Sequence, residues 1–157
     1  MHALNHTLDD KLREADGTYL DAEALQALEQ YSQSYSARLE TYRNLRDRSA
    51  DFVTQALTKM AQVHPEVIQK HKARCQYDMG EVLRYIALSI LRDDEVFFTE
   101  QMMSWLDTIL LAYKQNNHCA TAYRYLQDAV TAQLPTSNSS LIRPYLENVI
   151  LTLQSHA

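Results

Sequence analysis

Only two glycines and three prolines punctuate 157 residues, and between them apolar side chains recur every three or four positions. Tight turns between strands draw on glycine and proline for their backbone angles. The composition and the period together therefore predict an all-α chain. Its length suits one domain with a core that needs no disulfide or metal to hold it. Ten tyrosines stand against three phenylalanines, so many helix faces are expected to be half buried with the phenol tip wet or hydrogen-bonded.

The formal net charge of −5, with no basic stripe carrying interleaved aromatics, argues against nucleic acid as a partner. Cys75 and Cys119, in a chain without an N-terminal apolar segment, point to free thiols in a reducing compartment, hence the cytoplasm. No apolar run approaches the length that spans a bilayer, so membrane insertion is not expected. With no Gly-rich phosphate loop, metalloprotease helix or nucleophile elbow, the chain does not read as an enzyme.

Taken in order, residues from about Ala3 to Ala15 form a helix whose stripe, Leu4, Leu8 and Leu12, is too narrow to be stable without a partner surface. Asp16-Gly17 breaks it, and Asp21 is the expected N-cap of the next helix, with Leu20 stapling onto Leu25. A core helix runs from Ser34 to Met60 with a bend expected near Ser49, and Ala61 to Glu66 lead into a helix that starts at Pro65. After Arg92 an aspartate caps a helix with Phe98, Met102, Trp105, Leu106, Ile109 and Tyr113 on one face, closing at Lys114-Gln-Asn-Asn117. A stripe of this kind is core, and Trp105 is expected to be buried. A helix from about His118 to Gln133, a turn-rich linker from Leu134 to Ser140 and a last helix near Pro144 complete the chain.

The chemistry concentrates between His64 and Arg92. Cys75, Met79, Leu83, Ile86 and Ile90 share one face of the helix, so the thiol is directed inward. Asp78 lies three residues on, a neighbour on the helix surface, and Arg74, Lys72 and Lys70 supply cations within two turns. A thiol, a carboxylate and nearby cations suit a flat organic molecule that itself bears acids. Each residue also has a plainer reading. A lone cysteine on an apolar face is most often a small core residue, and Arg74 with Asp78 forms an i,i+4 surface pair. His71 shares the face of Cys75 at metal-ligand spacing, but two ligands make no site. Gly80 costs about 1 kcal/mol relative to alanine in a helix interior, which predicts a close neighbour there, either another backbone or a ring of a bound molecule.

Cys75-x-x-Asp78-x-Gly80 followed by Leu83-Arg84-Tyr85 resembles the chromophore helix of the phycobilisome proteins, the phycocyanin and allophycocyanin family, and the resemblance runs over nearly the whole chain. It implies a globin-like helical sandwich over residues 19–157, preceded by an N-terminal helical extension, residues 1–18, for dimerisation. Six or seven crossing helices suit such a sandwich better than a four-helix bundle. It also implies a linear tetrapyrrole of phycocyanobilin type, joined by a thioether to Cys75 and held at its inner pyrrole nitrogens by Asp78. The family's arginine two residues after the cysteine is Tyr77 here, with Arg74, Lys72 or Lys70 as substitute cations. Met79 shares the face of Cys75, and His118-Cys119 falls where the family often has two aromatics that approach the pigment. The connection ahead of the central helix is shorter than in light-harvesting members, which would leave a pigment more exposed.

The phrase Ala15-Asp16-Gly-Thr-Tyr19-Leu20 resembles the family's subunit-contact string. Arg84 matches an arginine that meets an acid of the partner subunit, and that acid is either Glu14 or Asp16. Two functions stay open. One is a phycobiliprotein-like subunit holding a bilin on Cys75 for light harvesting or sensing. The other is a bilin-free or transiently binding member acting in phycobilisome assembly, turnover or pigment handling, which Tyr77, the short connection and His118-Cys119 favour. Both imply a homodimer, or a heterodimer with another subunit of the family. Phycobilisome components and a bilin lyase are the further expected partners, and the cytoplasmic face of the thylakoid is the expected place of assembly.

Overall fold

The computed structural model describes residues 4–113 and 116–155, and these contain no strand. The elements are α1 (His6–Glu14), α2 (Ala22–Val63), α3 (Pro65–Arg92), α4 (Glu95–Phe98), a π-helical turn (Thr99–Met103), α5 (Ser104–Tyr113), α6 (Asn116–Gln133) and α7 (Thr136–Ser155). They form the all-α, globin-like architecture, with α1 set ahead of it. The Ala3 start expected for α1, residues 114 and 115 of the expected Lys114-Gln-Asn-Asn117 closure and the side chain of Tyr113 lie outside the described residues, and Asn116 and Asn117 belong to α6 instead of preceding it.

Caps explain most boundaries. Asp21 accepts from the Ala24 amide at 2.8 Å and opens α2. That helix then runs for 42 residues, so the helix expected from Ser34 is the C-terminal part of a longer continuous one. At 1.5 Å per residue it reaches roughly 60 Å. Pro65, whose missing amide suits the first helical turn, starts α3 after a connection of one residue, His64. Asp93 ends α3 in the left-handed conformation at φ 53°, and Asp94 caps α4 by accepting from the Phe97 amide at 3.2 Å.

Two expectations on the C-terminal side are corrected. Ser137 to Ser140 belong to α7 rather than to a linker, because Pro135 stands just ahead of the helix and its carbonyl receives the amides of Asn138 and Ser139 at 2.9 Å each. Asn138 is then buried and donates to Thr41 Oγ1 at 3.0 Å. Trp105 is half-buried and packs against the core from its edge, while Met102 and Leu106 of the same stripe are buried.

The core joins Leu45, Phe52, Leu57 and Met60 of α2 to Leu83 and Ile86 of α3, Leu126 of α6, and Ile142, Leu146 and Leu153 of α7. At the far end of this hairpin Arg38 is almost fully buried. It donates to Ser34 Oγ at 2.9 Å, to the Tyr31 carbonyl at 2.6 Å and to the Leu91 carbonyl, and its guanidinium lies 4.2 Å over the Tyr31 ring. This desolvated cation ties α2 to the end of α3. α1 is moored to the same end: Asn5 accepts from the Leu8 amide at 2.9 Å and donates to the carbonyls of Arg92 and Asp93, while His6 Nδ1 lies 2.5 Å from Asp94 Oδ2. Leu4 and Leu12 remain exposed.

Candidate functional site

The inward face of α3 carries His71, Cys75, Asp78 and Met79, and α6 presents His118, Cys119, Ala122 and Tyr123 to the same space. Arg74, Val67 and Ile68 of α3, Leu57 and Met60 of α2, Leu106 and Ile109 of α5 and Leu153 of α7 complete the lining of a mostly apolar cavity of about 140 Å³. Both cysteines are free and half-buried, one on each wall. Burial pushes the Cys75 thiol up and the Asp78 carboxylate pushes it further, while Arg74 opposes them. Cys119 is pushed up to about 11 by burial, then by Cys75 and Asp78. Near neutral pH both are therefore protonated thiols.

Tyr123 is the residue that sequence reading missed. It is 5% exposed, and its Oη has no hydrogen-bond partner. Burial drives its hydroxyl well up, with Cys119, Asp78 and Cys75 adding to the effect, which places the phenol among those three groups. An unpartnered buried hydroxyl costs about 1–3 kcal/mol. Such a group takes a water or a polar atom of a bound molecule as its partner. Its spacing of four residues from Cys119 was the available signal, since that spacing puts both on one face of α6.

Asp78 is turned toward the protein, with its side chain 21% exposed, and Arg74 Nε lies 3.0 and 2.9 Å from its two oxygens. Arg74 also lines a second recess of about 280 Å³ with Tyr77, Glu81, Tyr85, Gln101, Met102 and Trp105. The Arg74–Asp78 pair thus stands between the two spaces. Tyr77, 63% exposed, flanks the second recess and not the first. Lys70 and Lys72 are exposed and line neither, because their positions on α3 face away; the expected cations narrow to Arg74. Of the two neighbours expected at Gly80, a second backbone is corrected: apart from its chain neighbours and the backbone of its own helix, no atom among the described residues comes within 4 Å of where its Cβ would be.

Glu14, Asp16 and Tyr19 are all exposed, Tyr19 completely. Within the chain Arg84 pairs with Glu81 at 2.6 Å and lies 4.5 Å over the Tyr85 ring, rather than meeting either acid.

A family model described as "Phycobilisome protein" matches residues 11–153. Among known proteins, the allophycocyanin alpha-B chain of Cyanidium caldarium is 28% identical over 148 residues, spanning 84% of this chain and 87% of that one.

Proposed function

Because the chain belongs to the phycobilisome protein family, we propose that it is a phycobiliprotein-like subunit whose Cys75 cavity holds a linear tetrapyrrole of phycocyanobilin type, for light harvesting or light sensing. The observation that carries this reading is the convergence of Cys75, Asp78 and the unpartnered Tyr123 hydroxyl on one cavity. The pigment would supply the visible absorption. Cys75 Sγ would tether it, Asp78 would accept hydrogen bonds from pyrrole N–H groups, and Tyr123 Oη would donate to a carbonyl oxygen. Arg74, freed from Asp78, would answer a carboxylate. Met79, His118 and Cys119 would pack against the guest. Nothing in this scheme turns over a bond repeatedly, so the protein acts by holding the pigment rigid rather than as an enzyme.

Size constrains the pose. A cavity of 140 Å³ is comparable to the ~150 Å³ void that takes one benzene-sized guest. One ring fits inside, and because Arg74 lines both spaces, the remainder of a longer molecule would lie past Arg74 toward Tyr77 and Trp105 in the second recess. The raised thiol of Cys75 leaves little thiolate at neutral pH, which favours attachment by a dedicated lyase over spontaneous addition.

The second reading, a bilin-free or transiently binding member acting in phycobilisome assembly, turnover or pigment handling, is favoured by the small volume of the cavity and by the engagement of Asp78 with Arg74. Under either reading residues 1–18 act as a docking extension, with Glu14, Asp16, Tyr19 and Arg84 at the contact with a second copy or another subunit of the family. No helix among the described residues is long and apolar enough to cross a membrane; we place the assembly in the cytoplasm or at the cytoplasmic face of the thylakoid. Co-expression with a bilin-producing pathway and a lyase, then denaturing electrophoresis with zinc-enhanced fluorescence, tests the first reading. A fluorescent band lost in Cys75→Ala is expected, and a dark wild-type band leaves only the second reading.

A further inference from the structure

Where α2 gives way to α3, His64 and Glu66 face His118 in the first turn of α6. His64 Nδ1 lies 3.4 Å from Glu66 Oε1, and the His64 and His118 rings have centroids 4.4 Å apart at an interplanar angle of 47°. One donor atom from each of the three residues falls within 4.8 Å of the other two. The first separation is beyond the usual N–H···O hydrogen-bond range, and the tilted rings neither stack nor meet edge to face. We propose that His64, Glu66 and His118 form a binding site for a borderline divalent cation, zinc before others, with a water in the fourth position.

The donor set and its spacing carry the proposal. Two imidazoles and a carboxylate are a ligand set that tetrahedral zinc accepts with one position left open, at bonds of about 2.0–2.2 Å. Ligands on such a tetrahedron are roughly 3.3–3.6 Å apart, so side-chain rotation alone closes the observed spread around an ion. Imidazole nitrogens select zinc or copper over magnesium and calcium, which prefer all-oxygen shells. The side chains of His64 and Glu66 are 29% and 61% exposed, so an ion reaches them directly from solvent. His64 and Glu66 flank Pro65 at the one-residue corner and are held there by the start of α3, whereas His118 arrives from a distant part of the chain. A bound ion would therefore pin the first turn of α6 to the α2–α3 corner. His118 also lines the Cys75 cavity, so the pin would stiffen one wall of it. The proposal does not depend on a pigment being held.

The test uses the full chain, purified without pigment and stripped of metal. Zinc titrated in a calorimeter should bind with one equivalent per chain and raise Tm. Glu66→Gln, at an exposed position where folding is not at risk, and His118→Asn should each weaken the affinity at least about tenfold. Cobalt(II) in place of zinc should give a tetrahedral visible spectrum without a sulfur-to-metal charge-transfer band. Four results would overturn the proposal: no stoichiometric binding; affinity unchanged in Glu66→Gln; affinity unchanged in a folded His118→Asn; or a charge-transfer band lost in Cys119→Ser, which would assign the ion to the cavity thiols.

Discussion

Asp78 is engaged before any guest arrives, but weakly. A helical i,i+4 ion pair contributes roughly 0.2–0.5 kcal/mol, so a ligand that offers Asp78 better donors displaces Arg74 at little cost. The same carboxylate raises the Cys75 thiol, after burial itself. Asp78→Asn should therefore lower that thiol's pKa and speed its alkylation by iodoacetamide severalfold at mildly alkaline pH, while Arg74→Ala should slow it. In the wild type, labelling of Cys75 should rise at higher pH than for a free cysteine, and labelling of Cys119 only toward about 11. Tyr123→Phe separates the two functions: it removes a buried group that lacks a partner, so the pigment-free protein should gain about 1 kcal/mol in urea unfolding. A bilin-loaded protein should instead show a shifted absorption band. Cys75 and Asp78 were legible in sequence because one helix fixes their relation, whereas Tyr123 and the His64–Glu66–His118 cluster depend on how α6 meets α3. No period within a single helix encodes that register.

At the scale of elements, local chemistry read well and long-range anchoring did not. Asp21, Pro65 and the Asp93-Asp94 pair marked their helix starts because capping needs only a few adjacent residues, with Asp94 the member of the pair that caps. The start of α7 was misread since Ser137 to Ser140 look like loop, and only the burial of Asn138 against Thr41 shows why they are helical. Gly80 has open space at its Cβ position, so Gly80→Ala should stabilise the isolated chain by about 0.5–1 kcal/mol in chemical denaturation. A loss of pigment or partner affinity in that variant would reveal what approaches the glycine in the assembled state. The mooring of α1 carries a pH dependence. Burial works to raise the Asp94 carboxyl, but hydrogen bonds from the His6 ring, the Phe97 amide and the His6 amide outweigh it and hold the group below the ordinary 3.8. A depressed carboxyl stabilises the fold above its unfolded pKa and loses that contribution as pH falls through its folded value. Hydrogen exchange over residues 6–14 should thus accelerate as pH drops below 3.8, with Asp94→Asn producing the same loosening at neutral pH.

Across the whole molecule, apolar exposure is unevenly distributed. Of the ten large hydrophobic side chains left exposed among the described residues, Leu4, Leu12, Tyr19, Leu25, Leu28 and Tyr35 come from the first quarter of the chain. The N-terminal half of α2 buries little between Ala24 and Arg38, while its C-terminal half supplies much of the core. A surface of this kind calls for a cover. Sedimentation of the wild type should show a dimer or larger species, and Leu28→Glu should shift it toward monomer with helical content unchanged. The connection between α2 and α3 consists of His64 alone, and those two helices make the most extensive pairing in the fold. Contacts that are near in sequence form soonest, and synthesis delivers the N-terminal part of a chain first. A nascent polypeptide would accordingly present Cys75 on a ready-made hairpin before the wall bearing Cys119 has left the ribosome, giving an attaching enzyme its widest access during translation.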